Sequence, residues 1–149
     1  GETRELIFDT IELNRQLGTD SVNAYIFTPY RGTAMYNDAV SQGFVNPNEE
    51  TNSIITGSIL DMPTITKDEI LGLVRTFSLY VKFPKEEWPD IKIAENFTQE
   101  GDEKFAELSE RYYERFFDHD FKQTKKACFS TAAYDGARVE KQLTEDITG

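Results

Sequence analysis

Residues 4–28 read RELIFDTIELNRQLGTDSVNAYIFT, and this stretch decides the predicted fold. Its first part, from Arg4 to Leu17, carries apolar side chains at helical spacing, which predicts an amphipathic helix. Thr3 belongs to the residue types that cap helix N-termini, and Gly18 to the type that most often ends helices. The apolar stripe consists of Leu6, Leu13 and Leu17 in line with Thr10, widened by Ile7, Phe8 and Ile11.

The second part of the stretch, residues 21–28, predicts a β-strand. Alternate residues of a strand point to opposite sides, and here both sides are largely apolar, with Val22, Ala24 and Ile26 on one and Tyr25 and Phe27 on the other. That composition is typical of a parallel-sheet strand covered on both faces. A helix, a short turn and a buried strand make half of a βαβ unit. Because a single strand makes no sheet, we expect it to need strands that this sequence does not contain.

Helices account for most of the remaining predicted structure. Thr66 and Glu69 form a capping-box pattern that starts a helix ended by Phe83 and Pro84. Further helices are predicted over residues 34–42, 86–94 and 102–117 from their apolar spacing. The chain is thus expected to be a βα-type fragment with a helical extension behind it.

Composition excludes several classes of function. The chain has 149 residues, 27 of them acidic and 16 basic, for a net charge of −11. This acidic balance disfavours nucleic-acid binding, which needs clustered Lys and Arg. No apolar run reaches the roughly 18 residues of a membrane span. The single cysteine, Cys128, excludes an internal disulfide, a Cys-rich zinc site and a complete iron–sulfur site, and it suits a reducing cytoplasm.

Two segments of the sequence resemble motifs of radical S-adenosylmethionine enzymes. Residues 1–12, GETRELIFDTIE, are similar to the end of that family's Gly-aromatic-Pro-Gly-Glu-Thr turn and the helix that follows it. Residues 26–36, IFTPYRGTAMY, with a later Gly-aromatic-aliphatic at Gly43, look like the next strand and its Pro-x-Pro-Gly-Thr-x-x-Tyr loop. Arg31 and Ala34 stand where the family often has proline. Residues 76–80 and Trp88 resemble the helical region of the subgroup with a cobalamin-binding domain.

The resemblance implies the fold class and the regions. It implies an α/β fragment, mostly helical, that holds the last helix and strand of a partial (β/α) barrel followed by a C-terminal helical extension. Residues 1–45 would be the end of the barrel core and residues 46–121 the extension. Composition, not the resemblance, predicts the last region: the chain turns polar beyond Phe121, so residues 122–149 are expected to be a polar, poorly ordered tail.

The same resemblance implies the chemistry of a larger parent enzyme. Such enzymes cleave S-adenosylmethionine reductively to a 5′-deoxyadenosyl radical, and this subgroup can transfer a methyl group through cobalamin. Their 4Fe–4S cluster sits on a Cys-x-x-x-Cys-x-x-Cys loop, which this chain lacks. The partner expected is therefore the rest of the parent polypeptide, together with a small-molecule substrate. None of these cofactors is expected to bind this chain alone.

Carried over by motif, the resemblance assigns the adenine end of S-adenosylmethionine to two groups of residues. They are Gly1, Glu2 and Thr3 in the turn, and Tyr25, Ile26, Phe27 and Pro29 at the strand end. Barrel active sites lie at the C-terminal ends of strands, which agrees with this position. The alternative is structural: Glu2 favours the N-terminus of a helix, and Tyr25 and Phe27 fill a barrel interior.

Other candidate sites are weaker. Arg31, on the loop after the strand, is a candidate for binding a substrate carboxylate or phosphate, or is simply solvated. Asp118, His119 and Asp120 are adjacent, which is the wrong spacing for a helical metal site, so no metal site is expected.

A rival reading makes the chain a non-enzymatic helical interaction module. Its acidic faces and an aromatic stripe on the last helix would then bind a basic protein. The stripe consists of Phe105, Tyr112 and Phe116.

Overall fold

The structure is a computed structural model that describes residues 1–48 and 58–116. The described helices, in chain order, are α1 (Arg4–Leu17), α2 (Ala34–Ser41), α3 (Lys67–Lys82), α4 (Trp88–Ala94) and α5 (Gln99–Phe116), with a 3₁₀ turn at Lys85–Glu87. This confirms the mostly helical character that the sequence predicts. Gly1–Phe116 forms one compact unit, and the predicted boundary at residue 45 falls inside it. The predicted tail lies outside the described residues.

Helix α1 has the predicted bounds, but its apolar stripe divides into two faces. Thr3 caps it by accepting a hydrogen bond from the Leu6 N–H, and Gly18 ends it with a φ of 62°. Ile11 is fully buried, since this side of α1 packs against α3. The three leucines of the stripe lie on the other side and remain exposed, with 49 % of Leu6, 56 % of Leu13 and 64 % of Leu17 accessible.

No strand forms at residues 21–28, which corrects the sequence prediction at this element. A strand is defined by hydrogen bonds to a neighbour, and the described residues contain no strand beside this segment; they hold only an isolated bridge between Met62 and Ile65. Burial still alternates with a period of two along residues 21–28. Val22 and Ile26 are buried, whereas Tyr25 and Phe27 are exposed. The partial barrel is therefore not formed within the described residues.

The main core lies where α1, α3 and α4 meet. The rings of Phe8, Tyr80 and Trp88, one from each helix, form a mutual cluster with centroids 5.1 to 5.4 Å apart. Arg15 of α1 reaches the C-terminal end of α3, where its Nη1 donates to the carbonyl oxygens of Tyr80, Val81 and Phe83 at 2.8, 3.0 and 2.6 Å. A cation there satisfies carbonyls that lack helical partners and complements the helix dipole.

A second, smaller core surrounds α2. Tyr36 and Ala39 of the helix are buried against Val45 and Ile59. A backbone hydrogen bond of 2.7 Å from Asp61 N–H to the Phe44 carbonyl joins the two chain segments that carry these residues. This cluster holds the loop after residues 21–30 in place.

Two helix contacts require glycine. A Cβ on Gly72 of α3 would lie 2.5 Å from the carbonyl oxygen of Glu95, and a Cβ on Gly101 of α5 would lie 2.0 Å from that of Asn96. The end of α4 therefore approaches both neighbouring helices at backbone distance.

The substitution Gly72→Ala is expected to destabilise the protein, although alanine is the better helix former. Because the methyl group would overlap the Glu95 carbonyl, α3 and α4 must separate. We expect urea denaturation to show a loss of roughly 1–3 kcal/mol in the free energy of unfolding. Gln16→Ala, at an exposed position of α1, is the control and should change it by less than about 0.5 kcal/mol. An unchanged value for Gly72→Ala would contradict the close approach.

Candidate functional site

Four of the predicted ligand-contacting residues line one open pocket. Tyr25, Ile26, Phe27 and Pro29 share it with residues of the following loop and of α2. The pocket has a volume of about 550 Å³, and its lining is completed by Thr28, Tyr30, Thr33 and Met35. Its walls are predominantly aromatic and aliphatic, which suits a flat, weakly polar group such as a purine ring.

Burial alternates along residues 21–28, and this alternation determines which aromatic side chains are exposed at the pocket. Tyr25 and Phe27 are 73 % and 56 % exposed, because they lie on the outward side of the segment. On the other side, Thr28 is buried, and Ser58 lies within 3.5 Å of the Phe27 carbonyl oxygen, to which its hydroxyl donates. The segment is anchored by its buried side chains and presents its aromatic residues outward.

A capped turn contributes to the lining of the pocket. The Thr33 hydroxyl donates to the carbonyl oxygen of Tyr30 at 2.7 Å and accepts from the Tyr36 N–H at 3.2 Å. The same threonine therefore closes the turn and caps α2, which fixes Tyr30 and Met35 relative to one another.

The predicted turn residues lie outside the lining of this pocket. Glu2 is exposed, and its carbonyl oxygen accepts a hydrogen bond of 2.6 Å from the Thr64 hydroxyl. Thr3 is the N-cap of α1, as its residue type predicts. Gly1 lies against the Met62 side chain, from which an added Cβ would be 2.7 Å away. The structure therefore groups the strand-end residues but does not add Gly1, Glu2 and Thr3 to their pocket.

Arg31 also lies outside the pocket lining. Its Nη2 donates to the carbonyl oxygen of Pro47 at 2.9 Å, so the side chain bridges the loop before α2 to the loop after it. The substrate-binding role suggested for Arg31 stays a prediction.

A buried polar cluster beside the turn was not predicted from the sequence. Arg4 Nη2 donates to both carboxylate oxygens of Glu95, at 2.6 and 2.9 Å. The Tyr80 hydroxyl donates to Glu95 Oε1 at 2.5 Å. Burial, followed by the bond to Glu95, raises the pKa of Tyr80 well above its ordinary value. No spacing rule links Arg4 to a residue 91 positions away, so only the folded chain reveals this cluster.

The aromatic stripe of α5 is a packing surface. Tyr112 is buried, and the rings of Tyr112 and Phe116 lie 6.4 and 6.1 Å from that of Phe83. Phe105 lies beneath the guanidinium of Arg75, 4.1 Å from its ring centroid. These contacts account for the stripe without a partner protein.

The residues considered for a metal site and the single cysteine are not in the described part of the chain. Asp118, His119, Asp120 and Cys128 lie outside the described residues. Within residues 1–48 and 58–116, no group of three His, Cys, Asp or Glu residues is placed to hold a metal ion. None of the described helices is long and apolar enough to cross a membrane.

Comparison of this chain with protein families, with characterised proteins and with solved structures found no match.

Two buried threonines, Thr28 in the pocket lining and Thr76 in α3, differ in their hydrogen bonding and allow a test of the structure. Thr28 is buried, and its hydroxyl has no hydrogen-bond partner among the described residues, whereas the Thr76 hydroxyl donates to the Gly72 carbonyl at 2.8 Å. We expect Thr28→Val to leave the free energy of unfolding unchanged or to raise it by up to about 1 kcal/mol, since no bond is lost. Thr76→Val, the matched control, should lower it by about 0.5–1 kcal/mol. Equal losses in urea denaturation would mean that Thr28 has a partner.

Proposed function

We propose that this chain is the C-terminal part of a radical S-adenosylmethionine enzyme, of the subgroup that carries a cobalamin-binding domain. In this proposal residues 1–45 complete a (β/α) barrel, and residues 25–29 form a wall of the pocket for the adenine end of S-adenosylmethionine. The observation that carries the proposal is a pair of exposed apolar faces within residues 4–30. One lies on α1 and the other on the segment that follows it.

The first exposed face is the leucine stripe of α1, formed by Leu6, Leu13 and Leu17. Their spacing of seven and four residues aligns them along one side of the helix, and each is about half exposed or more. Burying a leucine side chain is worth about 1.5–3 kcal/mol, so three on one face favour a covering surface. In a (β/α) barrel the apolar side of each helix packs on the strands. In this proposal the leucine stripe makes that contact.

The second exposed face is the outward side of residues 21–28. The period-two burial of this segment is that of a strand, and a strand needs neighbours to pair its backbone N–H and C=O groups. A barrel provides such neighbours on both sides. The segment ends at Pro29, where the pocket and its loop begin, and this is the end of a barrel strand at which ligands bind. Tyr25 and Phe27 would then face the adenine ring.

The chain does not contain a site for the iron–sulfur cluster. Three thiolates are needed at the cluster of this family, and the chain has one cysteine. The cluster would be held by residues outside this chain, where it would supply the electron for the reductive cleavage of S-adenosylmethionine. The residues of this chain would bind and orient the adenine end only, and the chain alone would be inert. The single cysteine and the radical chemistry both favour a reducing cytoplasm.

The rival proposal, an acidic interaction module, rests on fewer observations. The net charge of −11 for the whole chain still supports binding to a basic partner. The aromatic stripe is less suited to a partner, because Tyr112 and Phe116 already pack against Phe83. The two proposals differ in what the gene encodes upstream.

Mapping the 5′ end of the transcript separates the two proposals. The enzyme proposal expects an open frame that continues upstream and encodes the three-cysteine loop. A start codon immediately before Gly1 would refute that proposal and favour the interaction module.

Anaerobic reconstitution with iron and sulfide tests the inertness of this chain. We expect no stoichiometric cluster absorbance, because one thiolate cannot replace three. The longer gene product, treated in parallel, should develop the band. A band near one equivalent in the 149-residue chain would contradict the proposal.

The adenine wall is tested in the longer product by Phe27→Ser. Loss of the ring should weaken S-adenosylmethionine binding about tenfold, the equivalent of one lost aromatic contact, as measured by equilibrium dialysis. Phe97→Ser is the matched control, since Phe97 is also about half exposed but lies on Arg75, away from the pocket. Equal affinities for the two variants would place the adenine elsewhere.

A further inference from the structure

We propose that Arg4, Glu95 and Tyr80 are positioning residues that hold the turn of residues 1–3 in its binding geometry. The helical extension would then be part of the ligand site, because two of the three residues belong to it. The ligand side of this inference rests on the proposed function. The positioning itself is a property of the chain without ligand.

The cluster links the first turn of α1 to α3 and α4, two helices of the extension. Arg4 is the first residue of α1 and directly follows residues 1–3. Glu95 is the C-cap of α4, and Tyr80 lies on α3. Hydrogen bonds between a guanidinium nitrogen and a carboxylate are charge-assisted and therefore stronger than neutral ones. The position of the Arg4 guanidinium therefore restrains the backbone of residue 4, which is where the turn ends.

Burial restricts the cluster of Arg4, Glu95 and Tyr80 to the hydrogen bonds described above. Tyr80 is 1 % exposed and Glu95 is 9 % exposed, so neither group can exchange its partners for bulk water. The guanidinium of Arg4 also lies 5.2 Å from the Phe8 ring centroid, which limits its movement on the other side. Removing Arg4 would leave the buried Glu95 carboxylate without its counter-charge, which is strongly unfavourable, and removing the Tyr80 hydroxyl would take one hydrogen bond from the same carboxylate. A shifted turn would therefore have to break several contacts together.

A second set of contacts holds the turn from its other end. The Thr64 hydroxyl donates to the carbonyl oxygen of Glu2 at 2.6 Å, and the Met62 side chain packs against Gly1. Thr64 and Met62 directly precede α3 in the chain. Residues 62–95 thus contact the turn at Gly1, Glu2 and Arg4, and they fix both its carbonyl direction and its exit into α1.

Two backbone amides report on this turn. The N–H of Leu6 donates to the Thr3 hydroxyl at 3.3 Å, and the N–H of Ile7 donates to the Thr3 carbonyl at 3.1 Å. The first turn of a helix ordinarily frays, and its amides exchange readily with solvent. If the cluster holds the turn, both amides should be protected in the full chain and should lose that protection when the cluster is disrupted.

The experiment is amide hydrogen exchange by NMR on the ligand-free full chain and its Tyr80→Phe variant. We expect Leu6 and Ile7 to exchange about tenfold faster in the variant, the equivalent of one lost hydrogen bond to a charged group. Leu108 and Tyr112 of α5 should be unchanged. Glu107→Gln is the control, since Glu107 forms exposed ion pairs with Lys104 and Arg111 that do not involve α1.

Variants of Arg4 separate positioning from general stability. Arg4→Lys keeps the charge and should retain part of the protection, whereas Arg4→Met should lose it. In the Arg4→Met background, Tyr80→Phe should increase the exchange rates of the two amides only slightly, because the cluster is already disrupted. Faster exchange at Leu6, Ile7, Leu108 and Tyr112 alike would refute the proposal, because it would show a general loss of stability. Unchanged exchange at Leu6 and Ile7 would refute it as well. Since no ligand is used, neither result depends on whether S-adenosylmethionine binds.

Discussion

Tyr80 makes the contacts on which the rest of this structure depends. Its ring packs edge-on against Phe8 of α1 and Trp88 of α4, its hydroxyl donates to Glu95, and its carbonyl accepts from Arg15. One buried residue of α3 therefore fixes the two helices beside it. Because its polar atoms are all used within the cluster, the cost of burying them is met by directed hydrogen bonds.

The packing of α1 against α3 determines which apolar surfaces remain exposed. The side of α1 that carries Phe8 and Ile11 is taken by α3, so the leucine stripe remains on the outside. The segment that follows α1 is anchored by Val22 and Ile26 and presents its aromatic side chains outward. Helix α1 thus keeps one apolar face exposed, and the strand-like segment has no strand neighbour among the described residues. The proposed function derives its physical support from this combination.

Local sequence signals predicted the helices well. The Thr3 cap and Gly18 define α1, and Thr66 with Glu69 forms the predicted capping box of α3. These signals act over three or four residues, so they need no tertiary context. The strand at residues 21–28 was not obtained, because strand formation depends on hydrogen bonds to a neighbour and the described residues contain none beside it.

For the candidate site, spacing and residue type were enough to predict the alternating aromatic residues and the loop that follows Pro29. Tertiary packing selected the buried side of α1, brought Arg31 to the Pro47 carbonyl and brought Arg4 to Glu95. Those outcomes depend on residues 16 and 91 positions apart. No local propensity acts over such separations, and packing alone selects among the faces that an amphipathic pattern leaves available.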